Sequence, residues 1–214
     1  LLEKLDVAAR SFVTNIGGIT LGDEYDMGYL SSSQVRMPCK ESTEKALILI
    51  DQAKLNKDTL GGICQTEIFN VLPGLGSYVS WEEKLDARIA RAVLAIPSCK
   101  GVEFGLGFRL GDKLGSKAHD EIIYDGGYKR KTNNYGGFEG GMTTGMPIVV
   151  KAAFKPLPTL GNPLESVNVK TKTSTLSHIE RSDTCIIPAA SVITMYAVLF
   201  EIAAALCKKF PSDT

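Results

Sequence analysis

The chain has 214 residues, a length that fits one large domain or two small ones and leaves room for a sizeable core. Its 24 Lys and Arg balance 24 Asp and Glu, so no net charge draws it to nucleic acid or an anionic membrane, and 44% hydrophobic residues against 22% charged exclude a disordered chain. Five scattered cysteines (Cys39, Cys64, Cys99, Cys185, Cys207) with no CxxC pair, and only two histidines (His119, His178), argue against a disulfide framework or a metal site and for a reducing compartment.

Ser11 to Ile19 reads as a strand closed by a Gly pair, with a helix expected next. Ser42 fits the N-cap of a helix that carries Ala46, Leu47, Leu49, Ile50 and Ala53 and stops near Asn56. Thr59 to Val71 is strand-like and ends at the turn Pro73-Gly74-Leu75-Gly76-Ser77. Ser80 and Glu83 have the spacing of a capping box, after which Leu85, Ile89, Val93 and Ile96 recur at helical intervals. Val102 to Phe108 and Ile148 to Phe154 alternate as strands. The polar, Gly-rich stretch between them, Arg109 to Gly145, is too long for an ordinary connection and points to a binding or active-site loop. Val167 to Val169 is a short strand, and the last helix runs from about Pro188, in the N1 position that proline favours, to Lys208–Lys209. Ile186 to Cys207 reaches bilayer length, but Pro188, Glu201 and its many alanines favour a helix inside a soluble subunit or at a subunit contact. Interleaved strands and helices place the chain in the α/β or α+β class, with antiparallel pairings.

Three stretches carry groups suited to chemistry. Lys129 to Gly145 joins three consecutive cations to Gly and Thr pairs, the materials of a backbone nest for an anion, or equally of a mobile surface loop. Lys155-Pro156-Leu157-Pro158-Thr159 follows a strand; the prolines stiffen it and leave Lys155 and the Thr159 hydroxyl to meet a phosphate, or Lys155 simply solvated. Arg181-Ser182-Asp183-Thr184-Cys185 sets a guanidinium two residues from a carboxylate, ahead of the last helix. Such a pair suits phosphate recognition and proton transfer, or a helix cap beside an ion pair.

The run Gly74 to Trp81 with Lys84-Leu85-Asp86-Ala87-Arg88, then Ile96 to Gly105, then His119-Asp120-Glu121, Asn133-Asn134 with Gly136 to Met142, Phe154-Lys155-Pro156 and Arg181 to Cys185, resembles chorismate synthase in content and order from about residue 11 to 209. The resemblance implies an α+β fold, a β-α-β sandwich of which this chain is about the C-terminal half, a portion of one domain spanning residues 1–214 with the N-terminal portion absent. It implies 1,4-elimination of phosphate from 5-enolpyruvylshikimate 3-phosphate to give chorismate, with reduced FMN as cofactor and NADPH as one source of its electrons. It further implies a homotetramer in the cytoplasm, or in a plastid, with no nucleic-acid or membrane partner and no metal. Carried over residue by residue, Arg181 contacts flavin and substrate and Asp183 assists proton transfer at flavin N5. Pro97, Ser98, Gly140, Lys155, Pro156, Leu157, Pro158 and Thr159 line the FMN.

The chain departs from the family pattern at three places: Ser98 for the usual Ala, Tyr135 for a small residue before the Gly pair, and Leu157-Pro158 for Thr-Ser. The family's Gly-Glu-Ser-His-Gly motif, its Arg-rich segment and its catalytic histidines have no counterpart here, so this chain is expected to be inactive alone. The second reading is a non-catalytic fragment or paralogue that keeps the oligomerisation surfaces.

Overall fold

The computed structural model describes residues 2–22 and 24–211. Strand β1, Ala8–Ile16, buries Phe12, Val13 and Ile16, then turns at Gly17-Gly18, both left-handed (φ 56° and 93°), into β2, Ile19–Thr20. The pair is antiparallel with Asn15 opposite Thr20, the hairpin that a two-residue loop of left-handed backbone builds. A returning strand therefore follows β1 where a helix was expected. Beyond it a short 3-10 turn, Met27–Ser32, opens with the Asp26 carboxylate accepting the Gly28 N–H at 2.8 Å.

Helix α1, Lys40–Leu55, stops at Asn56 as predicted, but its N-cap is Cys39 and not Ser42. Ser42 is buried in the first turn, where its hydroxyl donates to the Thr20 carbonyl at 3.1 Å and so ties the helix to the hairpin. Strand β3, Gly62–Phe69, lies inside the predicted run. Helix α2, Leu85–Leu94, buries Leu85, Ile89 and Val93 completely, the stripe that its spacing predicts. The expected capping box does not form, because the helix begins only at Leu85. The Ser80 carbonyl and hydroxyl accept from Glu83 N–H and Glu82 N–H in a preceding turn, and the Glu83 carboxylate pairs with Lys208.

Strand β4, Cys99–Phe104, starts and stops earlier than predicted, since Gly105 (φ 56°) bends the chain into the 3-10 turn Gly107–Asp112. The long polar stretch that follows is built and not loose. It holds a helical turn α3, Gly115–Ala118, the hairpin of β5, Ile122–Tyr124, with β6, Tyr128–Arg130, and the hairpin of β7, Phe138–Glu139, with β8, Met142–Thr143. Strand β9 is Ile148–Phe154, end for end as predicted, with Ile148, Val150, Ala152 and Phe154 buried in strict alternation. The expected short strand near Val167 is β10, Glu165–Val167, paired antiparallel with β11, Ser174–Leu176. Helix α4 is Ile187–Lys209, with Pro188 its second residue.

Five strands share a sheet in the order β2-β1-β3-β9-β4, so the fold is α+β, with hairpins as its recurrent antiparallel unit. The chain divides into two compact units. Unit 1 takes Leu1–Ser11, Gln65–Ala152 and Ser191–Thr214, and its core includes Ile68, Leu75, Leu85, Ile89, Val150, Val198 and Ile202. Unit 2 takes Phe12–Cys64 and Ala153–Ala190, with Phe12, Ile16, Met37, Ala46 and Phe154 inside. Helix α4 is long and apolar enough to cross a membrane, yet 44% of its most apolar window is buried against protein. The buried face, Ser191, Thr194, Val198, Glu201, Ile202 and Ala205, carries a carboxylate that a membrane would exclude. Glu201 meets Arg88 of α2 at 2.7 Å, with the two side chains 11% and 17% exposed.

Candidate functional site

In unit 2 the chain leaves β9 at Phe154 and runs through Lys155-Pro156-Leu157-Pro158-Thr159. Backbone carbonyls anchor this segment and the Arg181–Cys185 segment, which keeps side chains free for other partners. The Leu157 carbonyl accepts the Thr59 hydroxyl at 2.7 Å, the Thr159 carbonyl accepts the Ser182 hydroxyl at 2.7 Å, and the Thr184 carbonyl accepts the Leu60 N–H at 2.7 Å. Leu60 and Cys185 complete a one-residue parallel bridge. Pro156 and Pro158 have no N–H to satisfy, so the segment needs few anchors.

Thr159 and Arg181, remote in sequence, thereby line one cleft of about 260 Å³ together with Lys54 and Lys57 from the end of α1 and with Thr184. Asp58 and Glu180 also reach it, giving three cations against two carboxylates. The Asp58 carboxylate is held by the Thr59 N–H at 2.7 Å, whereas Lys54, Lys57 and Arg181 have no ion-pair partner among the described residues. Lys54 and Lys57 escaped the sequence reading. Their signal was a pair of lysines three apart at a predicted helix end, too common on solvated faces to single out. Lys155 and Asp183 are exposed in the same unit but do not line this cleft. Helix α4 starts at Ile187 and its first turn closes by Ala190 N–H to the Ile186 carbonyl at 2.9 Å, so Asp183 stands outside the cap position that the sequence had left open to it.

The motif residues of unit 1 are engaged differently. Asp120, 7% exposed, accepts the Thr132 hydroxyl at 2.6 Å, the Asn134 N–H at 2.7 Å and the Tyr135 N–H at 3.0 Å. Asn133 donates to the Pro147 carbonyl at 2.8 Å and Asn134 to the Ala118 carbonyl at 3.0 Å. The Tyr135 hydroxyl bonds His119 Nδ1, and the two rings meet edge to face. Each cation of Lys129-Arg130-Lys131 has a carboxylate: Asp125 at 3.0 Å, Glu139, and Glu121 at 3.0 Å. The anion nest that this stretch suggested is thus already occupied by the protein's own charges, and the Gly pairs serve turns. Gly140 (φ 59°) and Gly141 (φ 86°) are the two-residue loop between β7 and β8. Ser98 sits left-handed (φ 69°) in the turn after Pro97, closed by Cys99 N–H to the Ile96 carbonyl at 3.1 Å.

Two thiols are displaced in opposite directions. Burial pushes the Cys185 thiol up. Although no hydrogen bond closes at the α1 N-cap, the Ser42 backbone N–H and then its hydroxyl favour the Cys39 thiolate and hold that thiol below its ordinary range.

A profile of the chorismate synthase family matches residues 1–207. Relatives named chorismate synthase from Exiguobacterium sp. and Enterococcus faecalis are each 46% identical to this chain over its whole length, and one from Desulfitobacterium hafniense is 42% identical. A solved structure described as the crystal structure of chorismate synthase superposes with a TM-score of 0.82 at 35% identity, covering 99% of this chain and 60% of that one. This chain spans 57% of the length of those curated relatives. With its motifs in order and its fold matched from end to end, it belongs to the chorismate synthase family.

Proposed function

We propose that the protein acts as a chorismate synthase, a carbon–oxygen lyase that removes phosphate from 5-enolpyruvylshikimate 3-phosphate by 1,4-elimination to give chorismate. The observation that carries this reading is the unit 2 cleft, where Arg181 and Thr159 meet beside two lysines with no ion-pair partner among the described residues, in a chain of that family. Such a donor set fits a phosphate ester: a planar guanidinium for two oxygens, ammonium groups for charge, and a hydroxyl to donate. It equally fits the phosphate end of FMN. Reduced FMN, when bound, supplies electron density for breaking the C–O bond and an N5 position for the departing proton.

The chain's own residues bind, orient and transfer. Arg181 aligns the phosphorylated ligand. Asp183, exposed and free of a capping duty, would assist proton transfer at the N5 position of a bound flavin. Lys155, Pro156, Leu157, Pro158 and Thr159 form a stiff edge for the cofactor, and Pro97, Ser98 and Gly140 are assigned to its lining by the family resemblance. On the same reading the assembled enzyme is a cytoplasmic homotetramer.

The test is chorismate formation from the substrate with photoreduced FMN, followed by absorbance without oxygen, in this chain and in a full-length relative. Asp183→Asn, made at the matching position of the full-length relative, is expected to leave flavin affinity intact and lower turnover roughly 10²–10⁴-fold. Near-normal turnover of that variant removes Asp183 from the chemistry. An active relative beside an inactive 214-residue chain removes catalytic competence from this chain by itself.

A further inference from the structure

We propose that Lys54 and Lys57, at the C-terminal end of α1, complete a phosphate clamp with Arg181 and Thr159, so that the unit 2 cleft takes the phosphate end of a phosphomonoester and not the body of the ligand. For the identity of that ligand the inference rests on the reading above.

Three observations point this way. The first is backbone conformation. Lys57 occupies the position just past the helix in a left-handed conformation (φ 55°), with its N–H on the Lys54 carbonyl at 3.1 Å and the Asp58 N–H on the Ala53 carbonyl at 2.9 Å. Glycine is the usual occupant of such a helix end and lysine is strained there, so the capping role alone does not account for a long cationic side chain. The second is the way its stem is seated. A Cβ added at Gly161 would lie 2.9 Å from Lys57 Cβ, and the Asn162 N–H donates to the Lys57 carbonyl at 3.2 Å. Lys57 is therefore fixed against the segment that carries Thr159, with a glycine making room for it. Lys54, in the last turn of α1, lines the same cleft.

The third is size and charge. The cleft's volume of about 260 Å³ is below the roughly 300–1,000 Å³ of sites that engulf a whole small molecule, and it suits a phosphate group with the rest of the ligand outside. Its three cations exceed its two carboxylates by one, so net attraction is modest and discrimination comes from directed hydrogen bonds. The competing account holds that both lysines merely offset the negative end of the α1 dipole. That account predicts no dependence of ligand binding on them.

FMN and riboflavin differ only in the phosphate, which makes them the probes. Flavin fluorescence quenching would be titrated with the purified chain, with inorganic phosphate as competitor, for the unmodified protein and for the double variant Lys54→Met, Lys57→Met. The expected result is FMN bound more tightly than riboflavin, displacement by phosphate, and about tenfold or greater loss of FMN affinity in the variant with riboflavin affinity unchanged. Lys54→Arg with Lys57→Arg should restore much of it, and thermal melts report that all forms stay folded. Equal FMN affinity in the Met variant overturns the clamp while leaving the flavin reading intact. Binding of phosphate but of neither flavin, lost in the Met variant, keeps the clamp and defeats the flavin reading. An unmodified chain that binds neither flavin nor phosphate overturns the inference.

Discussion

The His119–Gly145 stretch of unit 1 and the Lys155–Cys185 stretch of unit 2 both carry family motifs rich in charge and glycine, and they use them in opposite ways. In the first, the polar motif groups are closed on one another: Asp120 serves three donors, and the three consecutive cations each hold a carboxylate. In the second, backbone carbonyls make the anchoring bonds, and Arg181, with Lys54 and Lys57 across the cleft, has no ion-pair partner among the described residues. A motif whose charges are satisfied internally builds the protein; one whose charges stay open is available to a ligand.

The strongest way to break that comparison is to leave an internally paired charge stranded. Arg88→Met strips Glu201 of its partner where both are mostly buried, and should cost about 3–5 kcal/mol in urea unfolding. Adding Glu201→Leu should recover most of that loss, because the stranded carboxylate and not the missing bridge is the main penalty. A single variant that unfolds like the parent would mean that water reaches Glu201 freely. Asp120→Ala comes next, at about 2–3 kcal/mol, since the Asn134 and Tyr135 N–H groups lose an ionised acceptor but can meet solvent as the loop loosens. Hydrogen exchange should then speed at those two amides first; unchanged protection there would deny Asp120 its organising role.

The smallest effect is chemical. Because the Ser42 N–H stabilises its thiolate, Cys39 has the larger reactive fraction at any pH below the ordinary thiol range, while burial protonates Cys185 and Cys99 further. Limited alkylation near neutral pH, read by peptide mass, should label Cys39 ahead of Cys99 and Cys185, with the gap narrowing as pH rises through the thiol range. The reverse order would show that the helix start does not govern that thiol.

Periodicity made much of this fold legible. The α2 stripe of Leu85, Ile89 and Val93 and the alternating burial of β9 are patterns whose side chains alone dictate the outcome. What escaped was decided by partners distant in sequence. Ser42 and Glu83 have the right chemistry for caps, but Thr20 and Lys208 claim them. The Gly17-Gly18 pair was read correctly as a turn, yet only the pairing of Asn15 with Thr20 makes it a hairpin. At the site, Arg181 and Thr159 were readable because the motif names them, whereas Lys54 and Lys57 owe their place to a helix end brought near that motif by folding.

Gly61 and Gly62, at the start of β3, lie flush against their neighbours: a Cβ at 61 would fall 2.5 Å from the Phe154 carbonyl oxygen, and one at 62 would fall 2.2 Å from that of Asn15. Only bare backbone fits there. In evolutionary terms the pair acts as a ratchet. Neutral drift at either residue is closed, because even alanine at 61 wedges against the exit of β9 at Phe154 and Pro156, and alanine at 62 against the β1 backbone at Asn15. The exit loop beyond, at Leu157-Pro158, makes no such close approach to either glycine. Deep mutational scanning should record two columns intolerant of every substitution beside a freely varying exit, a signature of inherited geometry and not of contact with any ligand.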